Sequence, residues 1–213
     1  MNVDIKICGL TDEAAVTAAV EYGAKWTGFV FFGPSPRNIA IDRAATLAAT
    51  VPGHVGRVGL FVDPEDQFLN EVMDNVELDM IQLHGREAVA RVRDIQSRFQ
   101  RPVMKAVGIG SHDDLALARA YEDVADYLLF DAKPPPGATR PGGNALAFDW
   151  SMIAEQQWSV PWMLAGGLDI DNIAQALDAT RAPTLDISSG VEDAPGLKSP
   201  AKIKALLEFA QTL

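Results

Sequence analysis

Short apolar runs recur along the chain at nearly even spacing, and a segment with helical spacing follows each of them. Runs of four to eight residues rich in β-branched and aromatic side chains predict buried strands, whereas apolar residues at i, i+3, i+4 and i+7 predict amphipathic helices. We predict strands at 3–7, 26–32, 55–62, 79–84, 102–109, 126–132, 161–166 and 184–189.

The first and last helical segments carry the clearest pattern. After the first strand, a stripe of small residues is predicted to pack inward and to stop at Gly23: Ala14, Ala15, Ala18, Ala19 and Tyr22. In the last segment the repeat is Ile203, Leu206, Leu207 and Ala210. Residues that commonly begin helices stand at Asp63 before Pro64, Ser111 with Asp114, Asp169, and Ser199 before Pro200.

Regular alternation of strands and helices predicts parallel βαβ units. An open doubly wound sheet would alternate in the same way, but eight repeats without a change in connection pattern favour an α/β fold closed into an eight-stranded parallel βα (TIM) barrel. We predict a single domain over 1–213, because no linker or low-complexity segment divides the chain. The Pro- and Gly-rich stretch 131–150 is irregular, and a loop that long is usually functional or mobile.

Alternate residues of a barrel strand face the interior. On the first, fourth, sixth and eighth strands the inward set is Asp4, Lys6, Cys8, Gln82, His84, Leu129, Asp131, Asp186 and Ser188. We expect Lys6 and Lys105 to offset the buried aspartates, because an unpaired buried charge is costly. A structural ion network would explain the same set. Because these inward polar residues accumulate at the carboxyl ends of the strands, we favour a substrate site that includes Lys6, Gln82, His84 and Asp186.

Composition and charge narrow the possible partners. The chain is 48% apolar and 22% charged, as ordinary globular proteins are, and its net charge of −11 argues against nucleic acid or an anionic membrane. A single phosphate can still bind at a local arginine or a helix N-terminus. Because no apolar run is long enough to span a bilayer, the N-terminus lacks signal-peptide features and one cysteine cannot form an internal disulfide, we expect a cytoplasmic protein.

The single cysteine lies in KICGLT (6–11), at the end of the first strand, where TIM barrels place their active sites. A free buried cysteine is usually a small apolar core residue. Here Lys6 on the same face and a helix start near Thr11 are expected to favour the thiolate and lower the pKa of Cys8. A thiolate can act as a base as well as a nucleophile.

Two further residues are candidates for chemistry. Asp131 ends the sixth strand and would be a loop-capping aspartate, unless it lies across the barrel mouth from Cys8 and completes an acid/base pair. Arg37 follows two prolines in FFGPSPRNI, which fix its direction. The alternative is a solvated surface arginine, but a braced arginine beside a strand end suits a carboxylate or a phosphate.

Glycines follow the last two strands, in LAGGL (164–168) and SSGVE (188–192). Tight turns alone would account for either loop. In TIM barrels these two loops commonly bind phosphate, because their backbone N–H groups can approach the ligand. We therefore predict a phosphate site at Gly166, Gly167, Ser189 and Gly190.

Seven blocks of sequence, in order from residue 5 to about 204, resemble those of the phosphoribosylanthranilate isomerase family of tryptophan biosynthesis: KICGLT, FVFFGPSPRNI, QLHG, LLFDAK, GGNALAFDW, LAGGL and LDISSGVEDAPGLKS. The resemblance implies an Amadori rearrangement of N-(5-phosphoribosyl)anthranilate to 1-(2-carboxyphenylamino)-1-deoxyribulose 5-phosphate, without a metal or organic cofactor. It implies that Cys8 is the general base at C2′, that Asp131 is the general acid at the furanose ring oxygen, and that Arg37 holds the anthranilate carboxylate.

Two positions depart from the family pattern. Ala145 stands where a glycine usually precedes Phe-Asp-Trp, and Ser199 stands where an aspartate commonly opens the last helix. Two other functions remain open: a related phosphosugar epimerase or synthase barrel, which would normally lack Cys8, Arg37 and Asp131 together, and an inactive or regulatory barrel that binds phosphosugars. The expected partner is a small phosphosugar, and the chain is expected to be a monomer or a homodimer.

Overall fold

The computed structural model describes residues 3–133, 149–154 and 156–213, and in these ranges eight parallel strands form one closed barrel. The strands are β1 Asp4–Cys8, β2 Trp26–Phe31, β3 Gly56–Phe61, β4 Met80–Leu83, β5 Val103–Ile109, β6 Tyr127–Ala132, β7 Trp162–Leu164 and β8 Thr184–Ile187. The helices are α1 Glu13–Glu21, α2 Ile41–Ala48, α3 Asp66–Asn75, α4 Val89–Phe99, α5 His112–Arg119, α6 Ser151–Ala154, α7 Ile173–Thr180 and α8 Pro200–Ala210. β8 pairs with β1 from Asp4–Thr184 to Ile7–Ile187, which closes the ring and confirms the TIM barrel.

The alternation of the strands separates two apolar layers, as predicted. Outward residues such as Ile81 and Phe130 join the large cluster that packs against the helices. Inward residues form a second cluster inside the barrel: Val58, Met80, Met104, Ala106, Leu129, Met163 and Ala165. Each fully buried large side chain contributes about 1.5–3 kcal/mol through the surface it removes from water. The polar inward residues therefore lie at the carboxyl end of the barrel, next to this interior apolar cluster.

The helix boundaries correct several local predictions. In α1, Ala14 is exposed and Val16 is buried in its place, whereas Ala15, Ala18 and Ala19 are buried as predicted. Asp63 does not cap α3; it has a positive φ of 45° and its carboxylate accepts the N–H of Arg86. The N-cap of α7 is Asn172, and Asp169 instead accepts its backbone N–H in the preceding turn.

Other signals stand where the sequence placed them. The N-cap positions of α5 and α8 are Ser111 and Ser199, and Pro200 opens α8. Gly23 follows α1 with a positive φ of 94°. All four apolar positions predicted for the last helix are buried: Ile203, Leu206, Leu207 and Ala210.

Lys105 does not offset an aspartate of the barrel interior. Its neighbours Met104 and Ala106 belong to the interior cluster, so Lys105 points outward to the helix layer. There its Nζ donates to Glu87 Oε2 and to the carbonyl of Gly85, both at 2.8 Å. The expectation was wrong because β5 is buried on both faces and its apolar residues do not reveal its parity.

A short hairpin that the sequence did not predict follows the eighth strand. After a single 3-10 turn at Ser189–Val191, β9 Glu192–Ala194 pairs antiparallel with β10 Leu197–Lys198. A Cβ atom at Gly196 would lie 2.2 Å from the carbonyl oxygen of Pro36, so only glycine lets the hairpin pack this closely on the loop after β2. The hairpin thereby brings Glu192 and Lys198 to the barrel mouth.

Candidate active site

A cavity lies at the carboxyl ends of the strands, and its empty space, counted together with open solvent at its mouth, is about 670 Å³. Eight of the predicted site residues line it: Cys8, Arg37, His84, Asp131, Gly166, Gly167, Asp186 and Ser189. Lys6 and Gln82 are fully buried beneath it, inside the barrel. The parity of the strands explains this convergence, because inward residues at neighbouring strand ends meet at one end of a closed barrel.

A chain of hydrogen bonds crosses the floor of the cavity from β8 to β6. Lys6 Nζ donates to Asp186 Oδ1 and to Gln82 Oε1, both at 2.8 Å. Because an ammonium group only donates, the amide of Gln82 must present its oxygen to Lys6 and its nitrogen to Nδ1 of His84, at 3.0 Å. In the neutral ring His84 then carries its proton on Nε2 and donates it to Asp131 Oδ2, at 3.2 Å.

The orientation of Asp131 is set from three sides. Besides the His84 contact, its Oδ1 accepts the N–H of Ala132 at 2.8 Å. Gly166 of the loop after β7 packs over it with a positive φ of 96°. A Cβ atom on Gly166 would lie 3.1 Å from Asp131 Oδ1 and 2.8 Å from the nitrogen of Ala132. The glycine therefore lets this loop approach the carboxylate closely.

Cys8 lines the cavity but is only 3% exposed. Burial raises the pKa of its thiol, and the nearby cations of Lys6 and Lys198 only partly oppose that effect. The predicted lowering of the Cys8 pKa is therefore wrong in sign. The main reason is the burial of the thiol, and Asp186, which is paired with Lys6, raises the Cys8 pKa further.

Lys6 nevertheless remains a cation beside the thiol. Burial alone would lower the pKa of Lys6, but Asp186 and Cys8 outweigh it and leave this pKa raised. Room for the thiol is provided by Gly28 of β2, where a Cβ atom would lie 3.0 Å from Cys8 Sγ. A thiolate formed at Cys8 would face an ammonium group that does not titrate near neutral pH.

Arg37 is not a solvated surface arginine, because it is 5% exposed. Its Nε and Nη2 donate to the two carboxylate oxygens of Glu192, at 2.7 and 2.8 Å. Its stem crosses Gly9, which has a positive φ of 82° and where a Cβ atom would lie 2.8 Å from Cδ of Arg37. The N–H of Arg37 donates to Ser35 Oγ at 3.2 Å. The guanidinium is therefore held in place at the cavity wall.

The two glycine loops meet beside the cavity, but their glycines have different places. Gly166 and Gly167 have positive φ angles and line the wall together with Ser189. Gly190 is not among the lining residues. A Cβ atom there would lie 2.1 Å from the carbonyl oxygen of Leu168, so Gly190 lets the loop after β8 pack on the loop after β7.

Comparison with known proteins places this geometry in a family. The family model of N-(5'phosphoribosyl)anthranilate (PRA) isomerase matches residues 5–209. The N-(5'-phosphoribosyl)anthranilate isomerase of Paramagnetospirillum magneticum is 52% identical over 211 residues, covering 99% of this chain and 98% of that protein. This chain belongs to the PRA isomerase family.

Solved structures of PRA isomerases share the fold over nearly the whole chain. A crystal structure of phosphoribosyl anthranilate isomerase from Thermotoga maritima superposes with a TM-score of 0.88 at 36% identity and covers 99% of this chain and 100% of that one. A PRA isomerase in complex with reduced 1-(o-carboxyphenylamino)-1-deoxyribulose 5-phosphate superposes with a TM-score of 0.84 at 34% identity, with the same coverage.

Sequence reasoning missed two residues of the site, Glu192 and Lys198. Lys198 Nζ donates to Glu192 Oε1 at 2.6 Å and to the carbonyl oxygen of Ser188 at 2.9 Å. Burial alone would raise the pKa of Glu192, but Arg37 and Lys198 outweigh it and lower this pKa. Both residues lie in the block LDISSGVEDAPGLKS, which resembles PRA isomerases, yet strand parity does not extend to this irregular segment.

Some expectations lie outside the described residues. Residues 134–148 include Ala145 and most of the Pro- and Gly-rich stretch, so the effect of Ala145 is not part of the described structure. Within the described ranges, none of the helices is both long enough and apolar enough to cross a membrane. The same ranges contain no cluster of three or more acidic, histidine or cysteine side chains suited to a metal ion.

Proposed function

We propose that this protein catalyses the Amadori rearrangement of N-(5-phosphoribosyl)anthranilate, with Cys8 as general base and Asp131 as general acid. The observation that carries the proposal is one cavity lined by both of these groups and by Arg37, in a chain of the PRA isomerase family. The reaction is the isomerisation step of tryptophan biosynthesis. A cytoplasmic location is part of the same proposal.

Asp131 acts first, on the furanose ring. It donates a proton to the ring oxygen as the C1′–O bond breaks, which opens the sugar to a protonated Schiff base. His84 and the N–H of Ala132 hold the carboxyl group in a fixed orientation from the protein side, so the proton is delivered toward the cavity.

Cys8 acts second, on C2′. The protonated Schiff base acidifies the C2′–H bond, and the thiolate removes this proton to give an enolamine. The enolamine becomes the aminoketose when C1′ gains a proton and the 2′-hydroxyl group loses one. The raised pKa of Cys8 keeps the thiolate fraction small at neutral pH, but it also makes each thiolate a stronger base. The ammonium of Lys6 stabilises the thiolate as it forms.

The remaining residues hold the substrate at its two ends. Arg37 binds the anthranilate carboxylate, and backbone N–H groups of the loops after β7 and β8 bind the phosphate. His84 and Asp186 face the substrate from the cavity wall. Lys6 and Gln82 act from beneath, because they are buried and engaged in the hydrogen-bond chain of the floor.

The test of the function is turnover of N-(5-phosphoribosyl)anthranilate by the purified protein, followed through the fluorescence of the anthranilate ring. Complementation of a tryptophan auxotroph that lacks the isomerase is the matching test in cells. Binding of the reduced product without turnover would instead support a regulatory phosphosugar-binding barrel, and turnover of another phosphosugar alone would support an epimerase or a synthase.

Substitution of Arg37 by alanine is expected to weaken binding of a carboxylate-bearing product analogue, because a bidentate charged hydrogen bond contributes about 1.5–3 kcal/mol. Binding of inorganic phosphate should stay nearly unchanged. Calorimetric titration of both ligands measures the difference, with the exposed Arg43→Ala as control. Equal losses for both ligands would show that Arg37 binds phosphate or supports the fold.

A crystal grown in phosphate or sulfate is expected to hold an anion against Gly166, Gly167 and Ser189. Backbone N–H groups of glycine-rich loops bind such anions in barrels of this kind. Electron density in that position at full occupancy is the measurement. An ordered anion at Arg37, with none at these loops, would contradict the phosphate site.

A further inference from the structure

Behind the cavity wall, three buried side chains form one ion cluster, which we name the Arg37–Glu192–Lys198 triad. Arg37 makes a bidentate contact with Glu192 at 2.7 and 2.8 Å, and Lys198 Nζ lies 2.6 Å from Glu192 Oε1. The exposed fractions of the three side chains are 7%, 5% and 0%. Arg37 lines the cavity, whereas Glu192 and Lys198 are not among the lining residues that the structure describes.

Lys198 is held in the geometry of an ammonium group. Its three N–H groups have three acceptors: Glu192 Oε1, the carbonyl oxygen of Ser188 and Ser188 Oγ, the last at 3.4 Å. The hydroxyl of Ser188 donates its own proton to the carbonyl of Cys8 at 3.2 Å, so it accepts from Lys198. Burial leaves the pKa of Lys198 lowered although Glu192 opposes that effect. The three acceptors suit the ammonium form, which has three N–H donors, better than the neutral amine, which has two.

The charges of the triad have a consequence for a carboxylate ligand. Arg37 and Glu192 alone form a neutral pair, and an incoming carboxylate would meet the repulsion of Glu192 together with the attraction of Arg37. Lys198 adds a second cation, so two positive charges and one negative charge leave the triad at +1. In a poorly solvated site this difference of one charge acts over several ångströms.

We propose that Lys198 is a positioning residue for recognition of the substrate's carboxylate. Glu192 fixes the plane of the Arg37 guanidinium, and Lys198 offsets the negative charge of Glu192. Arg37 therefore meets the substrate as a cation and not as half of a neutral pair. The inference rests on the proposed role of Arg37 in the isomerase reaction. It extends the site beyond its wall to the β9–β10 hairpin, which carries Glu192 and Lys198 but lines none of the cavity.

The experiment uses charge restoration. Four proteins are compared: wild type, Lys198→Met, the double variant Glu192→Gln/Lys198→Met, and Lys204→Met, which removes an exposed lysine that pairs with Glu208 of α8. Two ligands are titrated, the reduced 1-(2-carboxyphenylamino)-1-deoxyribulose 5-phosphate and its phenylamino counterpart without the carboxylate. The triad carries +1 in wild type, 0 in Lys198→Met and +1 again in the double variant.

We expect Lys198→Met to weaken binding of the carboxylate ligand by about 5- to 30-fold, the size of one charge at about 8–16 Å in a medium of intermediate dielectric constant. Binding of the ligand without the carboxylate should change by less than about two-fold, which also shows that the site is folded. The double variant should recover most of the loss, and Lys204→Met should resemble wild type, because exposed pairs contribute little.

Equal losses for both ligands in Lys198→Met, or a double variant as weak as the single one, would overturn the proposal and assign Lys198 a purely structural role. Failure of the proposed function gives a different result: wild type would not turn over N-(5-phosphoribosyl)anthranilate, or would bind the two ligands equally. Equal binding in wild type overturns the carboxylate role of Arg37 and the inference together. Discrimination in wild type without recovery in the double variant overturns the inference alone.

Discussion

Substitution of Cys8 by serine is expected to lower kcat by about 10²–10⁴-fold, the range for loss of a positioned general base. Serine keeps the size of the side chain, but its hydroxyl is a far weaker base than a thiolate. Affinity for the reduced product should stay close to that of wild type, because Cys8 acts on the transition state and contributes little to binding. Single-turnover kinetics with a binding titration measure the two effects separately.

The pH dependence provides the control for this assignment. Because burial raises the pKa of Cys8, the wild-type rate should rise with pH as the thiolate fraction grows. The midpoint of this rise should lie above the pKa of an ordinary cysteine. Cys8→Ser should lose this rise. Since Cys8 is the single cysteine of the chain, the difference in absorbance between wild type and Cys8→Ser reports on its thiolate without the contribution of the three tyrosines. A Cys8→Ser variant that keeps a third of the wild-type rate, with chemistry rate-limiting, would exclude Cys8 as the base.

Substitution of Asp131 by asparagine is expected to reduce turnover by at least about 10²-fold while affinity for the reduced product stays near that of wild type. Asparagine keeps the shape of the side chain and still accepts a hydrogen bond, but it has no acidic proton for the ring oxygen. The measurement is kcat together with a titration of the reduced product, as for Cys8→Ser.

A substrate that is already open separates the two roles. Anthranilate condensed with 4-deoxyribose 5-phosphate has no 4-hydroxyl group and cannot close to the furanose, so it does not need the first proton transfer. Asp131→Asn should process this compound at a rate closer to wild type, whereas Cys8→Ser should remain inactive. Rescue of both variants, or of neither, would contradict the division of labour between Asp131 and Cys8.

Much of the site could be predicted from the sequence because strand parity is a local property. A strand places every second residue on one face, so the positions of Lys6, Gln82 and Asp186 inside the barrel follow from where their strands begin. The parity failed for Lys105, since a strand that is buried on both faces has apolar residues at both odd and even positions. The hairpin at 192–198 was missed for the opposite reason, because it has too few residues to form a pattern.

The pairing of ionised side chains could not be predicted in the same way. Arg37 and Glu192 are 155 residues apart in the chain, and the sequence around either residue does not indicate that the other is its partner. The loop prolines and the close approach of Gly9 and Gly196 decide where Arg37 points. Lys105 and Glu87 likewise pair outside the barrel, because the segment that follows β4 brings Glu87 to the outer face of β5.

The sequence by itself determined the eight strands, their inward residues, the barrel and the positions of Cys8, Asp131 and the glycine loops at its mouth. Each of these follows from periodicity within a segment or from the order of the segments. Only the tertiary structure decided the sign of the Cys8 pKa shift, the tautomer of His84 and the triad behind Arg37. The physical reason is that desolvation and charge pairing depend on every atom packed around a group, and most of those atoms come from segments that are distant in the chain.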